Sequence, residues 1–230
     1  MTGTQVDVYT CDVKTIAVIA QKGGAGKTTL AIHLAVGAER DDKTAAVIDL
    51  DPQASAATWS DVREGETPAV VSAQPNRLSI VLQEAERGGA EFAIIDTSPN
   101  SESASLAAAR AADLVLIPCR PHLFDLQAIT TTIELARIAH KPFAIVLNAV
   151  PAQGRLGQET AAVLERLSVT TAPVQLGHRA AYYHCLTRGQ VASEYDPLGK
   201  AAEEAFALYR WVKAQLELQS QPLTELHLGV

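Results

Sequence analysis

Aromatic residues make up only 5% of this 230-residue chain, with two tryptophans and four phenylalanines. A core so poor in rings must be filled by smaller side chains. The hydrophobic content is 47%, and alanine and valine are abundant. That balance suits a closely packed sheet with helices on both faces, built as one domain. Cysteine is scarce as well. Cys11, Cys119 and Cys185 are odd in number, widely spaced and form no C-x-x-C. This excludes a disulfide framework and a cysteine zinc site, and fits reduced thiols in a cytoplasm. No apolar run approaches 18 residues, and the N-terminus lacks a charged-then-apolar signal pattern, so neither a membrane span nor secretion is expected. The six histidines lack ligand spacing and form no recognisable nucleophile arrangement. A basic excess is also missing. The formal net charge is −7, which argues against a constitutively basic nucleic-acid binder. Residues 1–100 hold 8 Lys+Arg against 14 Asp+Glu, whereas residues 101–230 hold 11 against 12. Any contact with a polyanion therefore belongs to the second half.

What the chain does have is Ala20-Gln21-Lys22-Gly23-Gly24-Ala25-Gly26-Lys27-Thr28-Thr29. An apolar run, 15–20, leads in, and a helical pattern from Thr28 to about Ala38 leads out. That is the context a phosphate-binding loop requires. Gly23, Gly24, Ala25 and Gly26 let backbone N–H groups turn toward phosphate oxygens, and the following helix N-terminus favours negative charge. Lys27 is expected to reach the terminal phosphates. Thr28 is expected to offer its hydroxyl to Mg²⁺, with Thr29 behind it. The usual first glycine of G-x-x-x-x-G-K-[ST] is replaced by Gln21, and an extra lysine, Lys22, follows. Lys27 already serves its own subunit's phosphates. Lys22 is therefore expected to reach across a dimer interface to a partner's nucleotide.

Two acidic strand ends complete the pattern. In Asp49-Leu50-Asp51-Pro52-Gln53 the two acids lie two apart at the end of a strand, 45–50, and share a face. Asp51 is assigned to the hydrolytic water and Asp49 to the water shell of the magnesium. Phe92-Ala93-Ile94-Ile95-Asp96 is an apolar strand ending in an acid, a Walker B element, so Asp96 is expected to bind Mg²⁺ through water. Thr97-Ser98-Pro99 forms a second loop near the γ-phosphate.

Lys22–Thr29 and Asp49–Gln53 resemble the deviant Walker A and switch segments of the ParA/MinD family of ATPases. The resemblance runs nearly full length and looks like the short, ParF-like partition members. It implies a single α/β domain with a doubly wound, mostly parallel sheet over residues 14–219, a polar leader at 1–13 and a loosely ordered tail at 220–230. It also implies an adenine contact for Asn148 at the end of strand 143–147. The N-K-x-D of guanine binders is absent there, so ATP is expected over GTP. The segment 117–125 resembles the proline-bearing loop of the family's dimer or partner surface, with Asp125 capping a helix from Leu126. Arg120 and His122 receive no role beyond surface contact. Arg179 falls where the family carries an arginine associated with sequence-independent DNA binding. Arg188, Lys200, Arg210 and Lys213 are the other basic residues of that third. Their net balance is slight in one subunit and doubles in a dimer.

The further elements expected are helices at 54–61, 77–87, 101–112, 126–139, 158–167 and 199–219, with strands at 70–71, 114–118, 143–147 and, last, 172–176. The implied function is a slow, Mg²⁺-dependent ATPase for plasmid or chromosome partition. It would dimerise with ATP, bind DNA non-specifically, and be released when a small ParB-like centromere-binding protein stimulates hydrolysis. It would be a cytoplasmic, nucleoid-associated bacterial protein with no membrane contact. A positioning ATPase for a chemoreceptor cluster, a protein compartment or a conjugative transfer complex shares every motif and stays open. A MinD-like membrane-associated ATPase needs a basic amphipathic end. Residues 223–230 hold one acid and no lysine or arginine.

Overall fold

Apolar runs of four to six residues form strands, and helices return the chain between them so that the strands lie parallel. The computed structural model describes residues 13–220. The expected leader and tail lie outside these residues, apart from residues 13 and 220. The elements are β1 (Lys14–Val18), α1 (Lys27–Glu39), β2 (Ala45–Asp49), α2 (Ser55–Asp61), β3 (Ala69–Ser72), α3 (Leu78–Arg87), β4 (Phe92–Asp96), α4 (Glu102–Ala111), β5 (Leu114–Cys119), α5 (Leu123–Ile138), β6 (Phe143–Leu147), α6 (Leu156–Arg166), α7 (Ala181–Leu186), α8 (Ala192–Tyr195) and α9 (Lys200–Ser220).

Among the described residues the strands form one sheet of six in the order β3-β2-β4-β1-β5-β6. Every pair is parallel. Successive residues of each central strand feed opposite faces. Ile16 and Val18 join Leu116 and Val146 under α1 and α9, while Ala17 and Ile19 join Val115, Ile117 and Ile145 under α4 and α5. Strands buried on both faces need apolar residues, which explains the unbroken apolar runs 16–20, 92–95 and 114–119 in and beside β1, β4 and β5. Helix α1 is likewise buried from Leu30 to Ala38. It is enclosed by the sheet and by α9, whose Tyr209 and Lys213 both bond Asp41 in the turn after α1.

From β1 the chain builds β2, β3 and β4 on one side and then β5 and β6 on the other. This reversal opens a crevice at the carboxyl ends of β1 and its neighbours, where open α/β sheets bind ligands. The loop 19–26, Asp49 and Asp96 all stand at that edge.

Two expected elements differ. Residues 172–176 do not form a strand. Their neighbourhood makes isolated parallel bridges, Ile145 with Thr171 and Val150 with Gly177. Ala172 and Leu176 N–H both donate to β6, to the Ile145 and Leu147 carbonyls at 2.8 and 2.9 Å, so four residues on this side match two on β6 and no regular ladder forms between them. Helix α5 starts at Leu123, three residues before the expected Leu126, because His122 is extended (φ −123°, ψ 145°) and ends the preceding loop. Asp125 therefore lies in the first turn of α5 and is not its cap.

Candidate functional site

The loop after β1 turns on two glycines with positive φ, Gly24 at 71° and Gly26 at 94°. These angles suit residues without a side chain. Gly26 is the N-cap of α1, so the first N–H groups of a 13-residue helix face the loop. Neighbouring elements hold the loop from several sides. Gln21 N–H donates to the Thr132 hydroxyl of α5, its side-chain amide donates to Ser105 of α4, and its carbonyl accepts from Asn100. The Thr97 hydroxyl donates to the Val18 carbonyl at 3.0 Å. The loop after β4 is thus tied to the strand that carries the phosphate loop.

Lys27 is buried at 6% exposure. Burial lowers its pKa, while Asp96 and Asp51 pull it back up. Asp96 is fully buried, and burial, above all, pushes its carboxyl up to about 7. Thr28 and Lys27 act against that shift; Asp49 and Asp51 add to it. Neither Asp96 oxygen makes a hydrogen bond of normal geometry. A buried carboxylate with both oxygens unpaired is costly unless a cation or its water shell satisfies it. A divalent cation between Thr28 and Asp96 would do so. The residues present therefore fit Mg²⁺, with Asp96 acting through water.

In the register of β2 and β4, Asp49 lies directly beside Asp96. The sequence places Asp49 in the magnesium's water shell, but its carboxylate is already engaged. One oxygen accepts from Asp51 N–H at 2.9 Å, and the other accepts from Ala56 and Ala57 N–H at 3.0 and 3.3 Å. Asp49 thus caps α2 from below and folds the 51–54 turn over the strand end. Ala54, at φ 51°, is held in the left-handed region by this turn. Asp51 is only partly buried and caps Gln53 N–H at 3.0 Å. Its charge reaches both Lys27 and Asp96. The sequence placed the two acids together but could not tell the one aimed outward from the one turned inward.

Lys22 ends in an ion pair within its own chain, 2.7 Å from buried Asp125. This replaces the helix-capping role expected of Asp125. Asn148 also contacts the loop, through a bond from its amide to the Ala25 carbonyl at 2.7 Å, and its side-chain oxygen accepts from Ala149 N–H. It therefore buttresses the loop directly. With Gly24, Gly26, Thr29, Arg120 and Tyr183 it lines a cavity of about 220 Å³.

The basic residues of the last third divide. Arg179 grips Glu204 through Nε at 2.9 Å, and Lys213 grips Asp41 at 2.6 Å. Arg188 lies over the Tyr195 ring and Arg210 over Phe206. Lys200 is exposed at the start of α9. Sequence reasoning favoured Arg179, yet its charge is largely cancelled by Glu204 of α9. Two residues escaped sequence reasoning. Arg120 is one. The other is His33, whose Nδ1 bonds the Thr29 carbonyl at 2.7 Å and whose Nε2 accepts from Ala192 N–H at 3.0 Å. The only sequence signal for His33 was a polar residue within an otherwise apolar helix.

The profile of the CobQ/CobB/MinD/ParA nucleotide binding domain matches residues 16–176. Relatives include two proteins called maintenance of carboxysome distribution protein A. That of Halothiobacillus neapolitanus is 27% identical over 83% of this chain and 91% of its own, and that of Gloeobacter kilaueensis 29% over 89% and 94%. Protein ParA of Rhizobium radiobacter is 28% identical over 84% of this chain and 94% of its own. The septum site-determining protein MinD from Pyrococcus horikoshii, solved with Mg-ADP, has the same fold, with a TM-score of 0.72 at 15% identity over 91% of this chain and 99% of that one. The P-loop, the acidic strand ends and this match together establish that the chain belongs to the CobQ/CobB/MinD/ParA family of nucleotide-binding ATPase domains.

Proposed function

We propose that the chain is a cargo-positioning ATPase that takes ATP and Mg²⁺, dimerises in the ATP state and separates after hydrolysis. The observation that carries this reading is the convergence of Lys22, Lys27, Thr28, Asp51 and Asp96 at one sheet edge. Thr28 and Asp96 would hold the magnesium, which neutralises charge building on the phosphates. Lys27 neutralises the same charge from the buried side. Asp51 faces outward and orients the attacking water. Asp49 fixes the turn that carries Asp51. Asn148 sets the loop and stands at the mouth of the cavity that would take the base. Phosphoryl transfer of this kind depends on positioning and charge and needs little covalent work from the protein. Lys22 leaves Asp125 and reaches the partner's phosphates, which makes the dimer depend on ATP.

The names of the relatives favour cargo positioning in two forms. One is distribution of a protein compartment, supported by the two carboxysome-distribution relatives. The other is DNA partition, supported by a relative named as the chromosome-partitioning ATPase Soj, of Thermus thermophilus. In either form our reading has a partner protein stimulate hydrolysis and takes non-specific DNA as the candidate track. For DNA the candidates are now Arg188, Lys200 and Arg210. A membrane track is the outcome that anionic vesicles would reveal.

The test is light scattering after size exclusion with ADP, ATP or a non-hydrolysable ATP analogue, alongside phosphate release from ATP. It would use wild type, Lys22→Ala and Asp51→Ala. A dimer that needs the analogue, is lost in Lys22→Ala and survives with hydrolysis abolished in Asp51→Ala supports the reading. A dimer insensitive to nucleotide and to Lys22 would overturn it. Titrating random-sequence duplex and anionic vesicles into the same samples then identifies the track.

A further inference from the structure

Arg120 comes directly after the last residue of β5 in Cys119-Arg120-Pro121. The loop turns its side chain toward the phosphate loop. A terminal guanidinium nitrogen lies 3.7 Å from where a β-carbon on Gly24 would stand. Because Gly24 has no side chain, nothing intervenes between that nitrogen and the loop backbone. The Nε of Arg120 is buried and has no hydrogen-bond partner. No carboxylate pairs with this guanidinium among the described residues.

Its surroundings are just as telling. The 220 Å³ cavity that Arg120 shares with Gly24, Gly26 and Asn148 has no acidic residue in its wall. The other guanidinium there, Arg179, is bound by Glu204. Arg120 is thus the guanidinium in this cavity without a counter-charge among the described residues. It stands beside a loop whose glycines free backbone N–H groups for oxyanions. Guanidinium pairs with phosphate oxygens through several donors at once and stays charged at all working pH values.

We propose that Arg120 is a phosphate-binding residue, a second cation that engages the phosphate chain of the nucleotide from the Asn148 side while Lys27 engages it from the buried side. The inference rests on the nucleotide reading above and extends it to a residue that the P-loop pattern does not include. Arg120 contacts the nucleotide of its own subunit, so the contact forms before any dimer does.

ADP is therefore the probe, with binding measured by calorimetry on the full chain for wild type, Arg120→Ala, Arg120→Gln and Arg120→Lys. Wild type that binds no ADP would refute the nucleotide reading itself. Failure of the Arg120 proposal alone has a different signature, because wild type then still binds. With wild type binding, the expected result is a ~10- to 100-fold rise in Kd for Arg120→Ala and Arg120→Gln, the range for a charged hydrogen bond. Arg120→Lys should retain most of the affinity. Free guanidinium ion should restore part of it to Arg120→Ala and none to wild type. All four thermal midpoints without nucleotide should agree within a few degrees. Arg120→Gln binding ADP within twofold of wild type would overturn the proposal. Equal losses in the Lys and Gln variants without rescue would also overturn it, because the role would then be packing and not charge.

Discussion

The side-chain amide of Asn148 occupies the space that a β-carbon on Gly26 would need. The two would lie 2.1 Å apart, and the same amide donates to the carbonyl of Ala25. Gly26 is thus fixed twice, once by its φ of 94° and once by a side chain from the far end of β6.

Gly26→Ala should therefore cost about 2–4 kcal/mol, from left-handed strain and overpacking together. Adding Asn148→Ala removes the clash and leaves the strain, so the double variant should recover part of the loss. Urea unfolding of the two single variants and the double variant measures this. Equal stability of Gly26→Ala and the double variant would show that Asn148 does not press on the loop.

The Lys22–Asp125 pair competes with any use of Lys22 in a partner's site. A half-exposed ion pair is worth about 1 kcal/mol. Asp125→Asn should free Lys22 in both subunits, relieving about 2 kcal/mol per dimer, and tighten ATP-dependent dimerisation roughly 30-fold. Sedimentation across a concentration series with an ATP analogue reads this directly. A weaker dimer would mean that Asp125 aims Lys22 and does not restrain it.

His33 makes stability depend on pH. Burial pushes its pKa from 6.5 down to about 4, against the opposing Thr29 carbonyl and Glu194. Above pH 6.5 both folded and unfolded chains carry it neutral, and its two hydrogen bonds contribute in full. As pH falls from 6.5 toward 4, the unfolded chain takes up a proton that the folded chain refuses, so stability drops. Over the whole window the loss is roughly 3 kcal/mol. Urea midpoints at pH 7.5 and 5 should differ more for wild type than for His33→Gln. Equal differences would remove His33 as the cause.

Arg179→Ala should act on stability more than on DNA. It takes the guanidinium from half-buried Glu204, which keeps the Gly177 N–H, at a cost of about 1–2 kcal/mol. The combined Arg188→Ala and Lys200→Ala variant should leave the thermal midpoint nearly unchanged. If DNA is the track, it should also lower affinity for random duplex and flatten its salt dependence. Loss of DNA binding in Arg179→Ala at unchanged stability would return that role to Arg179.

The fold was legible because parallel strands buried on both faces leave unbroken apolar runs, as at 16–20, 92–95 and 114–119. The phosphate loop was legible for a different reason. Positive φ and close backbone approach demand glycine, so Gly24 and Gly26 announce the conformation they adopt. The break at 172–176 was harder to read. The stretch has strand-like composition, and only its place beside β6 reveals that Ala172 and Leu176, four residues apart, donate to carbonyls two residues apart. The inner acid of the pair Asp49 and Asp51 was equally hidden, since both have the same alternation and charge.

By itself, the sequence determined the alternating α/β architecture, the phosphate loop with its extra Lys22, and the acidic ends of β2 and β4. These depend on local chemistry: backbone angles, period-two burial and the charge at a strand's last residue. Only the tertiary structure decided which charges are free. Lys22 meets Asp125, Arg179 meets Glu204 and Lys213 meets Asp41, across 103, 25 and 172 residues of chain. Among the described residues, the Asp96 carboxylate and the Arg120 Nε were left without hydrogen-bond partners. Pairing of this kind is a matter of a few ångströms between distant segments, and those distances exist only once the sheet has brought the segments together.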